Sequence, residues 1–108
     1  MTRQEQIEHF DAMVSRMRNT LVTKGDDYAT NIDRLSNFKD TAAICGLQPR
    51  QIVLTMIAVK VARLGVLLNK PDAPTYEPIT DSTLDLANYA ILLDMVVAET
   101  DIFTNKPV

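Results

Sequence analysis

Residues 49–69 read PRQIVLTMIAVKVARLGVLLN. Pro49 suits the first turn of a helix, and the helix is expected to continue to about Asn69. At about 100° per residue from Ile52, Met56 falls at about 40°, Leu67 at about 60°, Val53 at about 100° and Leu64 at about 120°. Lys60 falls at about 80° and Arg63 at about 20°, so both cations share the face that would form core. Leu54, Val61 and Leu68 make another side apolar as well. A helix apolar nearly all round is buried or sits at a subunit interface. An ammonium in such a face needs an anion, water or an exit. Either Lys60 snorkels or pairs with a structural carboxylate, or it lines a pocket that holds a phosphate or carboxylate.

The next helix is expected from about Asp81 to Glu99, with Thr80 as N-cap and Ile79 and Leu84 as a hydrophobic staple. From Asp81, Asp85 falls at about 40°, Asn88 at about 340° and Tyr89 at about 80°. Leu92, Met95 and Val96 continue that stripe. It is polar in its first half and apolar in its second. If the two helices pack antiparallel, Lys60 and Arg63 lie roughly 9–14 Å before the end of one. Asp85 and Asn88 lie roughly 6–11 Å into the other, so the two pairs come level. Lys60, Arg63, Asp81, Asp85 and Asn88 then form either one site or a salt-bridge network that fixes helix register. Tyr28 and Tyr89 could add flat surfaces for a base and hydroxyls for phosphate or ribose; packing in the core is the plainer use of each.

Outward from these helices the pattern stays helical. Thr2 and Glu5 read as a capping box for a first helix reaching about Lys24. Ile7, Phe10, Met13, Val14, Met17 and Leu21 form its apolar stripe, and Gly25 is expected to end it. Residues 25–31 read as a loop or broken helix. A short helix follows from about Asp33 to Ile44, with Leu35, Phe38 and Ala42 inward and Gly46 as C-cap. Lys70 to Thr80 holds Pro71, Pro74 and Pro78 and is expected to be extended. The reading is an all-α, antiparallel bundle of about four helices. A single domain over 1–99 is expected, followed by a loosely held tail over 100–108.

At 108 residues only a modest core is available, so self-association would help, and a homo-oligomer is expected. The net charge of −3 argues against broad binding to nucleic-acid phosphates but allows a local cationic pocket. One cysteine, Cys45, excludes an intrachain disulfide and fits a reducing cytoplasm. The polar N-terminus does not read as a signal peptide, and the apolar runs are broken by Lys, Arg, Asp or Asn, so no membrane span is expected. His9 reads as a surface residue. Three glycines supply no phosphate-binding loop. Neither Cys45 nor Ser82 has a histidine nearby in sequence for nucleophilic catalysis.

Three blocks carry a resemblance. Lys24-Gly25-Asp26-Asp27-Tyr28-Ala29, then Lys60-Val61-Ala62-Arg63-Leu64, then residues 77–90, EPITDSTLDLANYA, resemble the small phage and prophage family called nucleotide-modification-associated domain 1. The resemblance covers roughly residues 20 to 95. It implies a phage origin, a host-cytoplasmic location and a role touching nucleotides. The last block also resembles the final helix of the all-α NTP pyrophosphatases of the MazG and dimeric dUTPase type, which hold Mg²⁺ with four carboxylates. Asp81 and Asp85 could stand for one carboxylate pair, at a spacing of four instead of three. Where those enzymes carry the other pair, this chain has Lys60 and Arg63, which repel Mg²⁺ and attract phosphate.

Three functions follow as expectations. In the first, the chain binds a phosphorylated nucleotide, sequestering a host signalling nucleotide or supporting nucleotide modification. Lys24, Asp27, Tyr28, Lys60, Arg63, Asp81, Asp85, Asn88 and Tyr89 form the site, and no cofactor is required. The second is a Mg²⁺-dependent NTP pyrophosphohydrolase, with Asp81, Asp85, Glu77 and Asp26 or Asp27 as ligands. The third is a structural helical oligomer whose charges only set register.

Overall fold

The computed structural model describes residues 1–27, 29–72 and 76–103, with 76, 77 and 100–103 described by backbone alone. Tyr28, Pro74 and the tail over 104–108 lie outside the described residues. Every regular element among the described residues is helical. Four α-helices span Arg3–Arg18 (α1), Ser36–Cys45 (α2), Pro49–Leu68 (α3) and Tyr76–Phe103 (α4).

Local chemistry sets most of the boundaries. At the start of α1 the Glu5 N–H donates to Thr2 Oγ1 at 3.1 Å and the Thr2 N–H to Glu5 Oε2 at 2.9 Å, closing the capping box. Gly46 ends α2 at φ 70°, a left-handed conformation that glycine adopts without steric cost. Pro49 opens α3, and the Gln48 N–H donates to the Gln51 side chain at 2.8 Å.

Three boundaries depart from expectation; one is the end of α4, which runs past Glu99 to Phe103, so residues 100–103 are helix and not tail. The first helix does not stop at Gly25. After Arg18 it widens into a π turn (Asn19–Thr23) and then tightens into a 3₁₀ turn (Lys24–Asp27). At the other end α4 starts at Tyr76, so Pro78 lies inside its first turn instead of in an extended connection. A first-turn N–H has no intrahelical acceptor, so proline costs nothing there. Thr80 is therefore no N-cap; it is 7% exposed within the helix, and its carbonyl accepts from Thr83 Oγ1. The staple proposed across it has no helix end to span.

The core lies where α2, α3 and α4 meet. Leu35, Phe38, Ala42, Ile52, Val53 and Val96 are buried together. The beginning of α3 thus meets the end of α4, while Lys60 in mid-α3 meets Asp85 early in α4. The two helices are antiparallel. By contrast, α1 buries none of its residues and rests on the first half of α4. Phe10 of its apolar stripe is 65% exposed.

On α3 the inner arc holds Ile52, Val53 and Leu67, with Met56, Ile57, Lys60 and Leu64 half-buried. The opposite face carries Leu54, Val59, Val61, Val66 and Leu68, each more than half exposed. By length and composition α3 is apolar enough to cross a membrane, Lys60 and Arg63 notwithstanding, and little of it is buried. The radius of gyration is 16.3 Å, against about 13 Å for a compact chain of this length. The bundle is open, with large apolar faces outside the core.

Candidate functional site

The segment that joins α1 to α2 forms one wall of a cleft. Residues 19–25 hold β-branched Thr20, Val22 and Thr23 next to Gly25, all weak α-formers. A π turn accommodates them, and its Lys24 N–H donates five residues back to the Asn19 carbonyl. Such turns insert a residue, shift the side chains that follow, and are frequent at functional sites. Here Leu21, Val22, Lys24 and Asp27 face the cleft.

Arg34 pins this wall. Its Nη1 meets Asp26 Oδ1 at 2.7 Å and its Nη2 donates to the Val22 carbonyl at 2.9 Å. The guanidinium passes over Gly25, where a Cβ would sit 2.7 Å from Nη2. Glycine there allows this close approach; a Cβ would make the guanidinium shift.

The floor is α4. Asp85, Asn88, Tyr89, Leu92 and Met95 recur at spacings of three and four and line the cleft together. Leu35, Asn37 and Phe38 of the α2 region form the far wall. The cleft has a volume of about 750 Å³. A second cleft of about 580 Å³ adjoins it, sharing Thr20, Lys24 and Asp85 and adding Arg16 and Asp81.

Asn88 is the most constrained polar group in the cleft. It is 5% exposed, and its Nδ2 donates at 3.3 Å to the Met17 carbonyl, next to the π turn. That bond fixes which way the amide points, because the flipped amide would set oxygen against oxygen. Its Oδ1 is sealed from solvent and has no donor; the same holds for Asn37 Oδ1 on the opposite wall. A buried acceptor without a donor costs about 1–3 kcal/mol.

The expected site residues divide. Lys24, Asp27, Asp85, Asn88 and Tyr89 line the main cleft. Asp81 lines the second and pairs with Arg16 at 3.4 Å. Lys60 Nζ pairs with Asp85 Oδ2 at 2.9 Å from the α3 side and lines neither cleft. Arg63, expected on the inner face, is exposed and also lines neither. Its place at about 20° on the projection is the border of the arc, and a long guanidinium stem can leave from there. Tyr28 lies outside the described residues.

The cation at the junction of both clefts is Lys24, which takes part in none of the ion pairs among the described residues. Arg34 and Asn37 complete the main cleft without having been singled out from sequence. No local pattern marks them: Arg34 is brought in by its bonds to Asp26 and the Val22 carbonyl, and Asn37 by the placing of α2 over the core.

A further ion cluster ties the ends together. Lys39 of α2 meets Asp33 at 2.7 Å and Glu99 of α4 at 2.5 Å. Donation by Lys39 and by the Leu35 N–H holds the Asp33 carboxyl below its ordinary value. Asp33 and Glu99 together push the Lys39 ammonium up.

Donors for a divalent ion are poorly placed. Asp81 and Asp85 each already face a cation. Among the described residues no three His, Cys, Asp or Glu are grouped to share an ion. The Glu77 side chain lies outside those described. No protein-family model, curated protein or solved structure matches the chain.

Proposed function

We propose that the protein binds a phosphorylated nucleotide, without a metal, in the cleft between the π turn, α2 and α4. The observation that carries this is the cleft itself: an ammonium outside every ion pair among the described residues, at the junction with the second cleft, beside mostly apolar walls. The volume of about 750 Å³ lies in the usual range for small-molecule sites. Lys24 supplies the charge for phosphate, and Tyr89 and Phe38 supply aromatic surface. This differs from the assignment of phosphate to Lys60 and Arg63, because Lys60 is engaged by Asp85.

The resemblance to the phage nucleotide-modification-associated family supports the ligand class. It also supports a phage origin, a cytoplasmic setting, and a role in sequestering a host nucleotide or serving nucleotide modification. A MazG-like bundle belongs to the same proposal. Hydrolysis is the weaker reading, since the two carboxylates it needs are held by Arg16 and Lys60.

Self-association is part of this reading. Leu54, Ala58, Val61, Gly65 and Leu68 follow one another at spacings of four and three, and all are exposed. That is a helix-pairing seam with large and small side chains alternating. Among the described residues nothing outside the surrounding turns of α3 lies within 4 Å of where a Gly65 Cβ would sit, which leaves room there for an approaching helix.

The test is thermal unfolding in EDTA with mono-, di-, tri- and cyclic nucleotides. A ligand at about 100 times its Kd adds about 2.7 kcal/mol. That raises Tm by roughly 10 °C or more for a chain this size. Lys24→Met should abolish the shift. No shift with any nucleotide would refute the proposal, and pyrophosphate release with Mg²⁺ would establish the hydrolytic reading.

A further inference from the structure

We infer that two copies of the chain pair through the outer face of α3, antiparallel about a two-fold axis close to Val61, with Leu54 of one copy beside Leu68 of the other. This rests on the self-association reading above, to which it adds orientation and register. It does not depend on what the cleft binds.

The outer face is set apart by charge. Measured from Ala58, Lys60 falls at about 160° and Arg63 at about 140°, on the half turned toward the chain's own core. The opposite half, from Gln51 to Asn69, carries no charged residue. On it Leu54, Val59, Val61, Val66 and Leu68 are each more than half exposed. A contiguous apolar strip of this kind marks an interaction surface. A lipid surface suits it poorly. The strip holds no Trp, Tyr or Phe, the usual anchors at a membrane interface. A lipid-bound amphipathic helix also turns a cationic face to water, whereas the other face of α3 packs in the core.

A second copy fits because the strip complements itself. Its side chains alternate large, small, large, small, large at 54, 58, 61, 65 and 68, and that order reads the same in both directions. A two-fold axis across the helix reverses the order of residues on the second copy. Placed close to Val61, it sets Leu54 beside Leu68 of the second copy and Val61 beside its own counterpart. The large side chains then interleave in one column. Ala58 and Gly65 of both copies form the other, where small residues let the helices approach closely.

The charges at the ends favour the same orientation. Arg50 opens the helix, and Lys70 and Asp72 follow its end; all three are exposed. Antiparallel pairing brings Arg50 of one copy near Lys70 and Asp72 of the other, so each end joins cations to a carboxylate. Parallel pairing would set Arg50 against its own counterpart. Antiparallel helices also oppose their dipoles. No residue of α3 lines either cleft, so this pairing leaves the clefts of both copies open.

Sedimentation and cysteine cross-linking of the full chain test this. A strip one helix wide is smaller than the standard interface of about 800 Å² per partner, so the dimer should dissociate in the micromolar range. In a Cys45→Ser background the introduced thiol is the only one. Val61→Cys should then give a covalent dimer on mild oxidation. Leu54→Cys alone and Leu68→Cys alone should not. In this register each lies roughly 20 Å from its counterpart, beyond the reach of about 7 Å for a disulfide. An equimolar mixture of those two variants should give the mixed dimer. Cross-linking of Leu54→Cys to itself as fast as Val61→Cys would overturn the antiparallel arrangement while self-association stands. A dimer in which Val61→Cys stays uncross-linked would do so as well. A wild-type chain that sediments as a monomer up to about 100 μM would overturn both, even if it bound lipid vesicles.

Discussion

Asp85→Ala should destabilise the protein more than Lys60→Met, although the two substitutions break the same ion pair. The asymmetry comes from which charge is left behind. The Lys60 side chain is 22% exposed and sits in an apolar arc between Met56, Leu64 and Leu67; that of Asp85 is 38% exposed at the cleft edge. Removing Asp85 strands an ammonium that is mostly covered. Breaking an exposed pair costs under about 1 kcal/mol, and stranding a fully buried charge costs about 3–5 kcal/mol. Lys60 lies between those limits, which puts Asp85→Ala at about 2 kcal/mol. For a chain of this size that is a fall in Tm of roughly 8–16 °C. Lys60→Met leaves a carboxylate that water can reach and fills the arc with an unbranched apolar chain, so its effect stays within about 1 kcal/mol of either sign. The double variant should be more stable than Asp85→Ala alone. Urea unfolding at one fixed protein concentration measures all four corners of the cycle, since self-association would otherwise shift the midpoints. If Lys60→Met costs more than Asp85→Ala, Lys60 is not a buried charge held by its partner, and the account of α3 fails.

Other substitutions probe the remaining features. Gly25→Ala should push the Arg34 guanidinium off the Val22 carbonyl, costing about 1 kcal/mol. Amide exchange over residues 19–27 should rise while the core of α3 and α4 is unchanged, and equal protection throughout would contradict the pinning role. Asp33 is depressed and Lys39 raised, so their contribution is full between about pH 4 and pH 10. The Asp33 part is lost as pH falls through its lowered folded value, and the Lys39 part as pH rises above 10.5 through its raised one. Urea midpoints of wild type and Lys39→Met should therefore run parallel near neutrality and converge in acid; parallel curves down to about pH 2 would contradict the cluster. Val61→Glu on the outer seam of α3 should lower the mass seen by light scattering to that of one chain without lowering helix content. Gly65→Leu should do the same by overfilling the seam, and an unchanged mass for both would place any subunit contact elsewhere.

Much of this architecture is legible in the sequence because its determinants are local. Thr2 with Glu5, Gly46 and Pro49 each mark a helix end through a hydrogen bond or a backbone angle within a few residues. The meeting of Lys60 with Asp85 follows from helix rise and antiparallel packing alone. What escapes is non-local or too short to have a period. The stripe through Met13, Met17 and Leu21 runs unbroken into the π turn, and one widened turn leaves no trace in hydrophobic spacing. Pro78 reads as a breaker because sequence alone does not reveal how far upstream a helix begins. Arg34 and Asn37 reach the cleft through tertiary packing, so no spacing rule points to them.

The polar half of α4 looks like a catalytic cluster when read alone, yet most of it is already used. Asp81 holds Arg16 of α1, Asp85 holds Lys60 of α3, and the amide nitrogen of Asn88 holds the backbone of α1. Three side chains on one helix face thus tie α4 to two neighbours, which a small open core requires, because α1 contributes no buried residue of its own. Only the capacity left over can serve a ligand. In the cleft that remainder includes the Lys24 ammonium and the Asp27 carboxylate, neither of which joins an ion pair among the described residues. Carboxylates already neutralised by cations make weak metal ligands, whereas a free cation at the junction of two clefts can meet a phosphate directly. Stability and binding should therefore separate by residue: Asp85 and Lys60 chiefly set the unfolding midpoint, while Lys24 chiefly sets affinity. A Lys24→Met variant that unfolds early yet binds nucleotide normally would reverse that division and return the site to a purely structural role.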